Sequence, residues 1–153
     1  MDHEYGTDML GPGLKGWDWY SLQLSDKTEV MAFLIRSQKG GIEPTSSATV
    51  IGKKGLKRHL SKKDFKVIVL ETWKSPHSKA LYPAGWRLEI FPELLELIIK
   101  PNLADQEMLT SGSTGTIYWE GSVSVAGTRG GKPVSGEGYV ELTGYDKPFK
   151  APM

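Results

Sequence analysis

Short runs of apolar residues at every second position, broken by Gly, Pro, Ser and Asp, recur along this chain. A period of two sends alternate side chains to opposite faces of a strand, whereas a helix needs a period near 3.6. The pattern predicts strands at Trp17–Leu24, Glu29–Arg36, Ser47–Gly52, Phe65–Trp73, Trp86–Phe91, Leu94–Lys100, Tyr118–Ala126 and Val134–Leu142. A further short strand is predicted near Gln106–Leu109. Leu94–Ile99 holds good helix formers, but Pro92 and Pro101 bracket too few residues for a full helix. Short, regularly spaced strands without intervening helices suit an all-β barrel or sandwich. At 153 residues the chain fits one domain with a real core.

Two hairpins can be named. Ser25-Asp26-Lys27 separates the first two strands, and Gly127–Pro133 separates the last two. Centring the second loop near Arg129 pairs Glu120 with Tyr139, Ser122 with Glu137 and Tyr118 with Glu141 on a polar face. Trp119 with Val140, Gly121 with Gly138 and Val125 with Val134 then share an apolar face. The glycine pair would admit a bulky group or another backbone. A slip of two residues would keep the faces and change the partners. Glu29–Arg36 is apolar on both faces, as in a strand that is covered on both sides or lines an apolar cavity.

Composition narrows the chemistry. Nineteen Lys and Arg against eighteen Asp and Glu argue against a general nucleic-acid binder. The absence of Cys excludes disulfides, thiolate zinc sites and a Cys nucleophile. The three histidines, His3, His59 and His77, lack metal-ligand spacing, so no metal site is expected. No G-x-S-x-G elbow is present. Gly11–Gly16 matches G-x-G-x-x-G, but it precedes a strand and contains Pro12, so it reads as a loop and no cofactor is expected. The basic run from Lys53 to Lys66 reads as a solvated hairpin with charged edges rather than a phosphate or lipid patch. No apolar run reaches the roughly 18 residues of a membrane helix.

Five Trp and six Tyr are a heavy aromatic load. Trp17 and Trp19 share one face of their strand and Asp18 takes the other. Aromatics in a barrel commonly just fill the core; the alternative is a lining for a flat or polyene-like ligand, positioned by one or two polar groups. Strand acids such as Glu71, Glu89, Glu120 and Glu137 are candidate general acids only if buried. His77 lies in a Ser-Pro-His-Ser loop and should face solvent. His3, between Asp2 and Glu4, could be oriented by them, or belong to a frayed end.

Met1-Asp2-His3-Glu4-Tyr5-Gly6 resembles the W-M-D-H/R-E-[YFW]-G block of the AttH-like, carotenoid 1,2-hydratase-related proteins. The stretches Gly16–Leu24, Tyr82–Leu88, Asp105–Glu107, Tyr118–Gly121 and Gly138–Tyr145 are similar to that family's later landmarks, in the same order. The resemblance implies a lipocalin-like (calycin-type), antiparallel β-barrel over residues 1–145; the tail over 146–153 carries Pro148 and Pro152 and should be irregular. With the strand pattern, about eight to ten strands are expected. Family members carry two such domains, and this chain resembles the second. The expectation is therefore an excised C-terminal domain or a single-domain relative, with an N-terminal lipocalin-like domain as a partner, or a homodimer. The resemblance allows a periplasmic or a cytoplasmic location.

In the hydratase branch the aspartate of a Y-W-D-H-N-W-G block is the proposed proton donor to an isolated C=C bond. Asp2 matches that aspartate and His3 the next residue, while Glu4 stands for Asn and Tyr5 for Trp. The chemistry needs a carboxylic acid kept neutral by an apolar pocket, aromatic faces to stabilise the cation, and a base for the incoming water. Asp2, His3 and Glu120 are the catalytic candidates. Tyr5, Trp17, Trp19, Tyr20, Phe33, Trp86, Tyr118, Trp119 and Tyr139 are the ligand-binding candidates. Two functions follow: a barrel that binds a hydrophobic isoprenoid or polyketide-like molecule or supports a partner barrel, and, alternatively, an acid-catalysed hydratase or cyclase. A cavity with Asp2 or Glu120 beside Trp would favour catalysis; a filled barrel with an exposed apolar patch would favour support.

Overall fold

The computed structural model describes residues 13–110 and 116–148. Ten antiparallel strands form one curled sheet: β1 Leu14–Leu24, β2 Glu29–Ser37, β3 Ser47–Ile51, β4 Lys57–Ser61, β5 Phe65–Lys74, β6 Leu81–Ile90, β7 Leu95–Pro101, β8 Glu107–Leu109, β9 Ile117–Arg129 and β10 Lys132–Thr143. Their spatial order is β4-β3-β2-β1-β10-β9-β7-β6-β5, with β8 added to β9. The end strands β4 and β5 are joined by one short turn, Lys62–Asp64, so the sheet curls back towards itself. No ladder joins β4 to β5 among the described residues, and the result is a half-barrel. Each predicted strand is present. The unpredicted one, β4, carries the basic run on the charged hairpin edge that the composition implied, and only Leu60 of it is buried.

The β9–β10 hairpin corrects the predicted register. Arg129 pairs with Lys132, so the turn is the two residues Gly130-Gly131, with φ of 55° and 77°. Two successive positive φ angles define the tight turn whose twist suits a hairpin, and glycine adopts them without cost. The ladder therefore slips by two. Glu120 faces Glu141, Ser122 faces Tyr139, Trp119 faces Leu142, Gly121 faces Val140 and Gly138 faces Val123. The two faces keep their predicted polarity, because a slip of two preserves alternation. Gly121 does admit a bulky group: a Cβ there would lie 2.3 Å from the Gln106 side chain.

The core fills the inner face. Tyr20, Leu22, Ala32, Leu88, Leu97, Val123, Val140 and Leu142 are wholly buried. An aromatic chain crosses it, with Tyr20 edge-on to Trp86 at 5.9 Å and Trp86 against Trp119 at 6.2 Å. Each such ring contributes on the order of 2–3 kcal/mol by leaving water. The turn end is tied by Arg129, whose guanidinium donates to Asp26 at 3.2 Å and also to Thr28 and Glu93. That one side chain links the β1–β2 turn, the turn before β7 and the last hairpin.

Candidate functional site

The sheet separates the predicted residues by face. Tyr20, Trp86 and Trp119 point inward and are core. Trp17, Trp19, Phe33, Tyr118, Tyr139 and Glu120 lie on the outer face, where alternation places them opposite the buried series. Asp2, His3 and Tyr5 lie outside the described residues.

Cross-strand registers order that outer face. Phe33, Trp19, Glu141 and Glu120 form one row across β2, β1, β10 and β9. Met31, Ser21, Tyr139 and Ser122 form the next. A cleft of about 540 Å³ opens here, lined by Trp19, Ser21, Glu120, Ser122, Glu137 and Tyr139 among others. Burial, then the charges of Glu120 and Glu141 and a hydrogen bond with Glu120, push the Tyr118 hydroxyl above its ordinary value. Tyr118 thus stays a neutral donor to Glu120. Trp17 packs beside Phe33, with ring centres 6.4 Å apart, extending an apolar margin along β1 and β2. A flat molecule resting on Trp19 would meet acids and hydroxyls at its edge.

The inner face holds a polar group that the sequence reading left unassigned. Asp18 sits between two outward indoles and so points into the half-barrel, where it is 5% exposed. Arg36 Nε donates to Asp18 Oδ1 at 2.9 Å. The Tyr145 hydroxyl donates to the same carboxylate, 3.1 Å from Oδ1 and 3.0 Å from Oδ2. The Arg36 guanidinium lies 3.8 Å above the Tyr145 ring and also donates to the Thr143 carbonyl. Burial pushes the Asp18 carboxyl up, opposed by Arg36 and Tyr145. The signal for this group was one carboxylate on the face opposite two Trp, which alternation alone does not orient.

A third cluster braces the loop after β5. Ser75, Ser78 and Tyr82 all donate to Glu107 of β8, Tyr82 at 3.0 Å. His77 pairs instead with Asp105 at 3.0 Å and is half exposed, as its loop implied. Both serine hydroxyls are thus committed to Glu107, and no Ser–His relay forms. Among the described residues no group of three His, Asp or Glu could hold a metal ion. None of their helices is long and apolar enough to cross a membrane.

These features define an all-β, antiparallel, lipocalin-like half-barrel with a filled interior and an aromatic, acidic outer cleft. The chain matches the AttH-like family over residues 1–145 and belongs to it. A crystal structure from Nitrosomonas europaea, described as an AttH, superposes with a TM-score of 0.79 at 36% identity. The match covers 90% of this chain and 41% of that one. Kievitone hydratase from Nectria haematococca shares the fold, with a TM-score of 0.70 at 22% identity over 88% of this chain and 40% of its own. The chain thus spans well under half the length of either. No curated protein matches it.

Proposed function

We propose that this half-barrel binds a hydrophobic, isoprenoid- or polyketide-like molecule on its outer face, at a seam with a partner lipocalin-like domain. The observation that carries the reading is the division of aromatics. The interior is filled by Tyr20, Trp86 and Trp119, while Trp19 and Tyr139 wall an open cleft of about 540 Å³ with Glu120 at its edge. Trp19 and Tyr139 offer ring faces to an apolar ligand, and Ser21, Gln23, Asn102, Ser122 and the two acids around them offer hydrogen bonds to its oxygens. The two solved structures, each more than twice as long as the part this chain covers, leave room for a second domain beside this one.

A second reading is hydratase-type chemistry, favoured by Glu120 and Trp19 lining one cleft, two strands apart with Glu141 between them in the row. In that reading Glu120 would give a proton to a C=C bond, Trp19 would stabilise the cation, water would add to it, and the carboxylate would take back the proton that water loses. The resemblance of Asp2 and His3 to the family's acid block belongs to this reading. A homodimer would use the open edge of β5, where Val69 and Leu70 are about half exposed; light scattering that shows only monomer would remove it.

The test is native mass spectrometry with a panel of isoprenoids and polyenes on wild type, Trp19→Ala and Glu120→Gln. Retention by wild type and at least tenfold weaker retention by Trp19→Ala support the binding role. A mass gain of water with wild type and not with Glu120→Gln supports catalysis. Equal retention by wild type and Trp19→Ala would refute the outer-face site.

A further inference from the structure

The half-barrel has two ends. One carries the tight turns and the Arg129 tie. At the other, β1 begins and β10 ends, and there, among the described residues, Tyr145 packs over the core. Tyr145 lies beyond the last strand residue, Thr143. Gly144 turns the chain with φ of 70° and packs so closely on the Lys15 carbonyl that a Cβ would lie 2.1 Å from that oxygen. The phenol then folds back over the mouth. Its ring meets Tyr82 at 5.4 Å on one side and the Arg36 guanidinium at 3.8 Å on another, and its hydroxyl reaches Asp18. These holding contacts come from side chains, so lifting the phenol breaks no strand ladder.

Beneath it the interior is more polar than a barrel core requires. Tyr20 follows Asp18 by two residues on the same inward face, one step deeper. Its hydroxyl is wholly buried with no hydrogen-bond partner among the described residues, and so is the indole N–H of Trp86, whose ring packs edge-on to Tyr20. Buried donors without acceptors are rare in folded proteins and costly to keep. Two of them behind a side chain that packs over a mouth mark a place where an acceptor belongs.

We propose that this mouth is a ligand site for a hydroxyaromatic molecule, and that Tyr145 is its resident plug, occupying the place the ligand's own phenol takes. The ligand ring lies between Arg36 and Tyr82, and its hydroxyl donates to Asp18. A second oxygen further along the ligand meets the Tyr20 hydroxyl. The site is on the inner face, away from the outer cleft, and does not depend on the function proposed above. Because the plug competes, the apparent affinity is the intrinsic one reduced by the fraction of time Tyr145 is displaced.

The experiment titrates the folded protein with p-cresol and with toluene, which has the same ring without the hydroxyl. Binding is followed by the Arg36 Nε–H and the Trp86 indole N–H signals in proton–nitrogen spectra. Wild type should show weak, saturable shifts with p-cresol, at least fivefold stronger than with toluene. Tyr145→Phe keeps the ring and loses both hydrogen bonds to Asp18, so it should bind p-cresol at least fivefold more tightly than wild type. Tyr145→Gly should gain at least tenfold, and adding Asp18→Asn, which leaves only a neutral acceptor, should weaken the preference over toluene. Absence of shifts in wild type up to the solubility limit overturns the proposal. So does a Tyr145→Phe variant that remains folded and binds no better than wild type, or one that binds p-cresol and toluene alike.

Discussion

Replacing Arg36 with Met tests the inward carboxylate. The Asp18 and Arg36 side chains are only 8% and 12% exposed, and they meet at 2.9 Å. Among the described residues, removing the cation leaves Asp18 with Tyr145 as its remaining side-chain donor. Breaking such a buried pair from one side costs about 3–5 kcal/mol, because the charge left behind stays desolvated. For a domain near 150 residues that corresponds to roughly 6–20 °C in Tm. Burial already holds the Asp18 carboxyl above its ordinary value of 3.8 with Arg36 present, and loss of the guanidinium lifts it further. A carboxyl raised on folding supports stability below its unfolded value, and that support is lost as pH rises through the folded value. The deficit of Arg36→Met should therefore be small near pH 4 and large near pH 7. The double variant Asp18→Asn, Arg36→Met removes the buried charge altogether and should regain more than half of the loss. Urea unfolding followed by tryptophan fluorescence at both pH values measures all three. A single variant within about 1 kcal/mol of wild type at pH 7, or an equal deficit at both pH values, would refute the reasoning.

Three further outcomes follow from the same geometry. Gly131→Val should cost about 1–2 kcal/mol, because a branched residue pays for a positive φ, whereas Gly130→Asn should be nearly neutral; thermal melts of the two variants decide this. Gly127→Ala should cost about 1–3 kcal/mol or more in urea unfolding, since the added Cβ would lie 2.0 Å from the Glu96 carbonyl. Burial opposes ionisation of Glu107, but the hydroxyls of Ser75, Ser78 and Tyr82 outweigh it and hold the carboxyl below its ordinary 4.5. A lowered carboxyl stabilises above its unfolded value and loses that support as pH falls through the folded one. Glu107→Gln should thus be destabilised by about 1–2 kcal/mol at pH 7 and converge with wild type as acid protonates Glu107, read from urea midpoints across the pH range.

The order of strands along the chain was legible because alternation is local. Residues two apart share a face whatever the strand packs against, so Trp17–Leu24 and Val134–Leu142 could be placed by pattern alone. Gly130-Gly131 marked a tight turn, yet the seven-residue loop around it left its centre open, and the pairing came out two residues off. Lys57–Ser61 escaped because an edge strand with one buried side chain shows almost no apolar period. Of the site, the sequence supplied the residue types: Trp19, Tyr139 and Glu120 do line one cleft. It did not supply their company, since Glu141 reaches Glu120's side only through the observed register.

Alternation, composition and turn residues determined on their own that this chain is an antiparallel, all-β domain with a heavy aromatic load. They also determined which side chains stand on a common face. Only the tertiary structure decided which face is inside. A strand that is apolar on both sides, such as Glu29–Ser37, has no local preference for either, and the choice rests on curvature and on what packs across the sheet. That choice turned Trp17 and Trp19 outward and carried Asp18 into the core, where Arg36 and Tyr145, 18 and 127 residues away, make its burial tolerable.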